Sequence, residues 1–186
     1  MDLEYCSIHG RFQPFHNAHL AYALAALGRS KRIYVGLTRV LTEGGIGGEV
    51  APHRLESGSN PFSYFERAAM VRAALNGAGI ADERFDIGPF PIENPERLGE
   101  FWPVNLPCLT TIVDQWNEQK VRVLRAAGYS VEIVHQGAWR GEKYASGTTI
   151  RQMIRDGDGS WCNYVPTGSV DLVRRFSAER KLASGQ

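Results

Sequence analysis

Hydrophobic and polar positions along this chain switch repeatedly between a two-residue and a helical period. Tyr5 to Ile8 is short and mostly apolar, as a buried strand is, and Leu20 to Leu27 behind it favours helix. Arg32 to Leu37 reads as a second buried strand. Tyr64 to Leu75 carries apolar residues at helical spacing, with Pro61 and Ser63 suitably placed for its start. Phe85 to Phe90 is a short strand ended by prolines, and Leu109 to Val113 is another strand. An amphipathic helix runs from Asn117 to Ala127, stopped by Gly128, and the β-branched stretch Tyr129 to His135 is again strand. Thr148 to Arg155 and Val170 to Lys181 are the last helices. Alternating strands and helices predict an α/β fold of Rossmann-like type, a doubly wound parallel sheet with helices on both faces. Ligands of such sheets lie outside the carboxyl ends of the strands, where strand order reverses.

Thr38 to Asn60 breaks the pattern. It has five glycines and a proline without periodicity, and structureless loops longer than about 12–15 residues are uncommon unless functional or disordered. The 38–60 stretch is therefore expected to be a mobile flap beside a site, or else a plain surface insertion. The 186 residues suit one domain, expected over 1–182 with a frayed 183–186 tail.

Composition narrows the partners. A net charge of +1 provides no basic field for nucleic acid, so no nucleic-acid partner is expected. No apolar run approaches the ~20 residues of a membrane span, and the acidic start with Asp2 and Glu4 is unlike a signal peptide. A cytoplasmic protein is the expectation. Cys6, Cys108 and Cys162 are widely spaced, without a C-x-x-C pair, which points to reduced thiols.

The chemistry concentrates in Gly10-Arg11-Phe12-Gln13-Pro14-Phe15-His16-Asn17-Ala18-His19-Leu20, on a strand–turn–helix junction. Unpaired N–H groups and the dipole make a helix start an anion site. Residues three apart share a helical face, so His16 and His19 can address one anion. A zinc pair would need a third ligand at fitting spacing, and none is present; in isolation the two would read as surface histidines. No nucleophile–base constellation is evident.

This segment resembles the GRFQPFHxGH signature of the HxGH nucleotidyltransferases, and is nearest to the archaeal-type nicotinamide-mononucleotide (NMN) adenylyltransferases. Ala145-Ser146-Gly147-Thr148-Thr149-Ile150-Arg151 is similar to that family's ISGTxIR motif, and Asn60 to Arg67 to its NPFTxxER stretch. Trp161 to Pro166 with Val170 and Val173 resembles its closing W..LVP..V..V, so the matches follow the family's order along nearly the whole chain. The resemblance implies transfer of a nucleoside monophosphate from a nucleoside triphosphate to a small phosphate or phosphonate, with release of pyrophosphate. Such an acceptor is already anionic, so catalysis is positioning and charge neutralisation.

On that reading His16, His19, Arg11 and Arg151 are catalytic, meeting triphosphate oxygens. Gly10, Phe12, Gln13, Ala18, Gln136, Ser146, Gly147, Thr148 and Thr149 bind the nucleotide. His53, Arg54, Tyr64, Arg67, Asp114 and Trp116 are placed on the acceptor. Glu66 and Arg67 also suit structural ion pairs, Ser146 a plain N-cap, and Trp102, Trp116 and Trp139 a core as readily as a stacking slot. Mg²⁺ is expected as cofactor, bound through substrate phosphates.

The acceptor side departs from the NMN pattern. The family's second glycine is Ala18 here, the glycine-rich 41–57 stretch replaces a compact KSH-like loop, and Asp114 to Glu118 replaces an SNNPW-like stretch. Relatives of this fold include cytidylyltransferases that cap small phosphonates with CMP, phosphonoformate cytidylyltransferase among them. That CTP-dependent reaction is the preferred expectation; NMN adenylyl transfer from ATP and a non-catalytic nucleotide sensor are the alternatives. The resemblance also permits a homo-oligomer.

Overall fold

Successive side chains of a strand point to opposite faces, and β1 (Leu3–Gly10) divides the interior in this way. The structure, a computed structural model, describes residues 3–40 and 59–179. Cys6 and Ile8 pack with residues of α1 (Asn17–Leu27) and α2 (Tyr64–Gly77). Ser7 and His9 turn the other way, toward α3 (Gln115–Ala126). Beside β1 lie β2 (Ser30–Leu37), β3 (Phe85–Pro89), β4 (Cys108–Ile112) and β5 (Val131–Gln136). Every pairing is parallel, in the order β3-β2-β1-β4-β5. The chain first builds outward from β1 to β3 and then returns to add β4 on β1's other edge, so the order reverses between β1 and β4. This is the doubly wound topology expected from the alternating periods, and it places the switch point beside the His16–His19 segment.

Local signals fix the helix starts. Ser63 caps α2 reciprocally: its N–H donates to Glu66 Oε2 at 2.6 Å and its Oγ accepts Glu66 N–H at 3.3 Å. Asp114 caps α3 by accepting Asn117 N–H at 2.9 Å, and Ser146 caps α4 (Gly147–Arg155) by accepting Thr149 N–H at 3.1 Å. A separate apolar cluster, including Met70, Ile150, Ile154, Val173 and Phe176, binds α4 to α2 and to α5 (Val170–Glu179). The start of α4 is thereby held against the same body of the protein that carries α1.

The stretch between β3 and β4 had no periodic signature, yet it seals the α3 face. Trp102 is 1% exposed, its ring 5.2 Å from Tyr5 and 5.1 Å from Tyr34, which makes it core rather than a stacking slot. Phe90 lies flat on β2 because position 36 is glycine: a Cβ there would come within 2.6 Å of Phe90 Cβ.

Arg67, placed on the acceptor by sequence, is instead a brace. It is 2% exposed. Its Nη1 donates to the carbonyls of Arg11 (2.9 Å) and Thr38 (2.7 Å), and its Nη2 to that of Arg39 (3.3 Å). Arg39 has φ 57°, and this turn directs the carbonyls at 38 and 39 toward the guanidinium. Burial lowers the Arg67 pKa to about 10, so it remains charged at neutral pH. Arg67→Met should lower unfolding free energy by about 3 kcal/mol, because buried carbonyls lose charge-assisted donors. Urea titration reads this, and a loss under about 1 kcal/mol would contradict the brace.

Tyr64, also placed on the acceptor, is the first residue of α2, 37% exposed and outside the cleft. His53 and Arg54, with most of the expected flap and the whole 183–186 tail, lie outside the described residues. Among the described residues no helix is long and apolar enough to cross a membrane.

Candidate active site

A cleft of about 530 Å³ opens at the switch point, within the usual size of a small-ligand site. The starts of α1 and α4 form one side of it, and β4's end with α3 the other. His16 is not inside α1 but is its N-cap, with extended backbone, and His19 occupies the third helical position. The His16 N–H donates to His19 Nδ1 at 3.3 Å, and the two rings stack with centroids 3.7 Å apart. Because Nδ1 accepts, the neutral His19 ring carries its proton on Nε2. Phe12 meets the His19 ring edge-on at 4.8 Å, and Phe15 packs on it at 5.6 Å. Both imidazoles are therefore oriented by packing before any ligand arrives.

Burial and the nearby Arg151 cation lower the His16 pKa to about 4. His19 is also held well below its usual value, first by burial, then by coupling to His16 and by the Arg11 and Lys120 cations, against a hydrogen bond to the Pro14 backbone. At neutral pH both rings are uncharged, and so act as polar donors rather than as cations. His16 Nδ1 is buried without a partner.

Arg151 couples the two helix starts. Its Nη1 donates to Gln13 O at 2.7 Å and its Nη2 to Thr148 Oγ1 at 3.2 Å. Burial lowers its pKa to about 10, with Arg155 adding to the effect, so it stays cationic at neutral pH. Glycine at 147 lets the two helix starts of this clamp approach: a Cβ would sit 3.0 Å from Gln13 O and 3.3 Å from Arg151 Nη1. Gln13 contributes backbone to the cleft, while its side chain is committed to Phe62, whose N–H it accepts and whose carbonyl it donates to, both at 2.9 Å. The Phe12 ring is likewise core, at 1% exposure.

The structure thus brings Gly10, Arg11, His16, Ala18 and His19 into one cleft with Ser146, Gly147, Thr148 and Arg151. Thr149 sits beside them, its hydroxyl 2.8 Å from Ser146 Oγ. Asp114 and Trp116 join from the opposite side. Gln136 does not: it is exposed at the end of β5, and the neighbouring cleft wall is made by Ala138, Trp139 and Tyr144. Trp139 stacks on His135 at 3.8 Å, presenting an aromatic face near α4.

Among the cleft residues that escaped the sequence reading are an imidazole and an ammonium. His9 is 2% exposed near the end of β1, and Lys120 is 6% exposed on α3. A signal existed for each. His9 interrupts a buried strand, and Lys120 lies one turn before Leu124 on the buried stripe of α3, where an apolar residue is the rule.

A doubly wound sheet with two helix starts and paired imidazoles turned on one cleft defines a nucleotidyltransferase. The chain belongs to the cytidylyltransferase-like family, whose model matches residues 8–153. It is 34% identical to a phosphonoformate cytidylyltransferase of Streptomyces viridochromogenes, over 94% of this chain and 93% of that one. A nicotinamide-nucleotide adenylyltransferase of Saccharolobus solfataricus is 30% identical, over 93% and 91%. Among solved structures, a bifunctional NMN adenylyltransferase/ADP ribose pyrophosphatase of Francisella tularensis, complexed with AMP and a manganese ion, superposes with a TM-score of 0.69 at 18% identity. It is matched over 98% of this chain and 52% of its own, so the present chain spans about half of that two-activity protein.

Proposed function

We propose that this enzyme transfers CMP from CTP to a small phosphonate of the phosphonoformate class. The observation that carries the transfer chemistry is the clamp: two helix starts, tied by Arg151 through Gln13 O and Thr148 Oγ1, face one cleft, with His16 and His19 carried on the α1 start. The choice of CTP and phosphonate is supported by the 34% relative and by Lys120 on the acceptor side, which it shares with Asp114.

In the reaction a phosphonate oxygen, already anionic, attacks the α-phosphorus of CTP. The new P–O bond forms as the bond to the β-phosphate bridging oxygen breaks, and pyrophosphate leaves with that electron pair. No proton need be removed from the nucleophile. The His16 and His19 N–H groups, the α1 and α4 starts and the Arg151 cation would hold the triphosphate in line and take up charge as it moves to the leaving group. Mg²⁺ would lend its charge to the same phosphate oxygens. The donor set fits this mode: among the described residues Asp114 is the one carboxylate lining the cleft, and no group of three candidate ligands occurs. A nucleoside triphosphate donor also accords with a cytoplasmic setting.

Trp116 favours a second reading, in which it stacks on the ring of NMN and ATP is the donor. Pyrophosphate release with Mg²⁺, each of the four triphosphates, and either phosphonoformate or NMN separates the two. CTP with phosphonoformate should exceed ATP with NMN in kcat/KM by at least about tenfold. The reverse order would establish the NMN reading, and no turnover with any pair would leave a nucleotide sensor.

A further inference from the structure

His9 is an imidazole without an occupation in the protein itself. It is 2% exposed, and among the described residues neither of its ring nitrogens has a hydrogen-bond partner. Buried polar atoms are almost always satisfied, so two idle nitrogens on one ring point to a ligand. Its ring is held in place: it stacks on Phe90 at 4.4 Å with planes 2° apart, and Phe90 is seated against Gly36. Stacking alone would be served as well by a phenyl ring. His9 opens on the same cleft as Lys120, which reaches it from α3. The Lys120 ammonium influences both His9 and His19 and, after burial, is what keeps His9 uncharged. A neutral imidazole beside a buried ammonium has the chemistry of a carboxylate or phosphonate receptor. These two residues lie on the α3 face of β1, whereas the α1 and α4 starts that suit a triphosphate lie across the cleft.

We propose that His9 and Lys120 form a subsite for the acceptor's second acid group, the one that does not attack phosphorus. The subsite rests on the anionic-acceptor reading above and sharpens it. The acceptor class is a small diacid in which a carboxylate or second acid group stands a bond or two from the phosphonate. Lys120 takes the charge and His9 donates one N–H. The same ammonium repels the pyridinium of NMN, so the subsite also selects against that acceptor.

Two variants test this, Lys120→Met and His9→Phe, the second keeping the ring on Phe90. Melting temperature reports folding in both, so either alone suffices if the other does not fold. With CTP, each should lower the ratio of kcat/KM for phosphonoformate over methylphosphonate, which lacks the carboxylate, by about 10- to 100-fold. Equal losses for both acceptors, or a matching rise in KM for CTP, would overturn the assignment. Calorimetric binding of phosphonoformate needs no turnover, so it separates this subsite from the transfer reading. Wild-type protein should bind it about 10- to 100-fold more tightly than either variant. Absent or unchanged binding would overturn the subsite even if nucleotidyl transfer stands. Binding lost in the variants, with no transfer by wild type, would support the subsite and refute the transfer reading.

Discussion

Alanine at His16 or at His19 should lower kcat for pyrophosphate release by about 10²- to 10³-fold, the usual effect of losing one preorganised donor to a charged transition state. Both rings are neutral, because burial and neighbouring cations hold their pKa values down. Their contribution is therefore a directed N–H dipole in a water-poor site, not a resident positive charge. The effect should fall on kcat more than on the KM for CTP, since the donors matter most when charge gathers on the leaving phosphates. The double variant should lose much less than the product of the single losses. The rings stack at 3.7 Å, and the His16 N–H rests on His19 Nδ1, so each orients the other. His19→Ala also removes that acceptor at the α1 start, which should cost about 1 kcal/mol of stability. Melting curves separate this small structural loss from the catalytic one. Unchanged kcat in both single variants would remove the imidazoles from the mechanism.

The parallel sheet and the His16–His19 junction were legible because each rests on local rules. An apolar strand, a turn and an Ala/Leu-rich helix follow one another within a few residues, and Ser146 announces the start of α4 as Ser63 announces that of α2. What was not legible depends on which surfaces meet. Arg67 and Lys120 have the same signature, a cation on the buried stripe of an amphipathic helix. Arg67 spends its donors on the carbonyls at 11, 38 and 39, while Lys120 faces a cleft. The difference lies in the turn at Arg39 and in the geometry of β1 against α3, neither of which has a sequence period. Gln13 was read as a nucleotide contact from its place in the motif, but its side chain is drawn to Phe62, 49 positions away. The stretch from Phe90 to Pro107 was silent for a related reason: it packs through Trp102 on Tyr5 and Tyr34, contacts that are long-range and aperiodic.

The same buried imidazoles should make the fold sensitive to mild acid. In the unfolded chain a histidine titrates near 6.5, whereas His16 in the folded protein titrates at about 4 and His9 and His19 also lie well below normal. Between these values the unfolded state binds more protons, so stability is complete above about pH 6.5 and falls as pH falls toward 4. For His16 alone the loss is about 2 kcal/mol by pH 5 and about 3 kcal/mol by pH 4, and His9 and His19 act in the same direction. Glu93 works against this trend, since burial raises its carboxyl pKa and its protonation in acid relieves that burial. Comparison with His16→Ala over the interval from pH 7 to 5 separates the imidazole's share of the change from that of Glu93. Urea unfolding across that interval should show a steep decline, and His16→Ala should flatten it by about 2 kcal/mol, having no proton to take up. A decline that His16→Ala leaves unaltered would mean that the ring titrates normally in the folded protein. The claim that burial keeps His16 neutral during catalysis would then fail with it, because a ring that protonates near pH 6.5 is charged in about a quarter of molecules at pH 7.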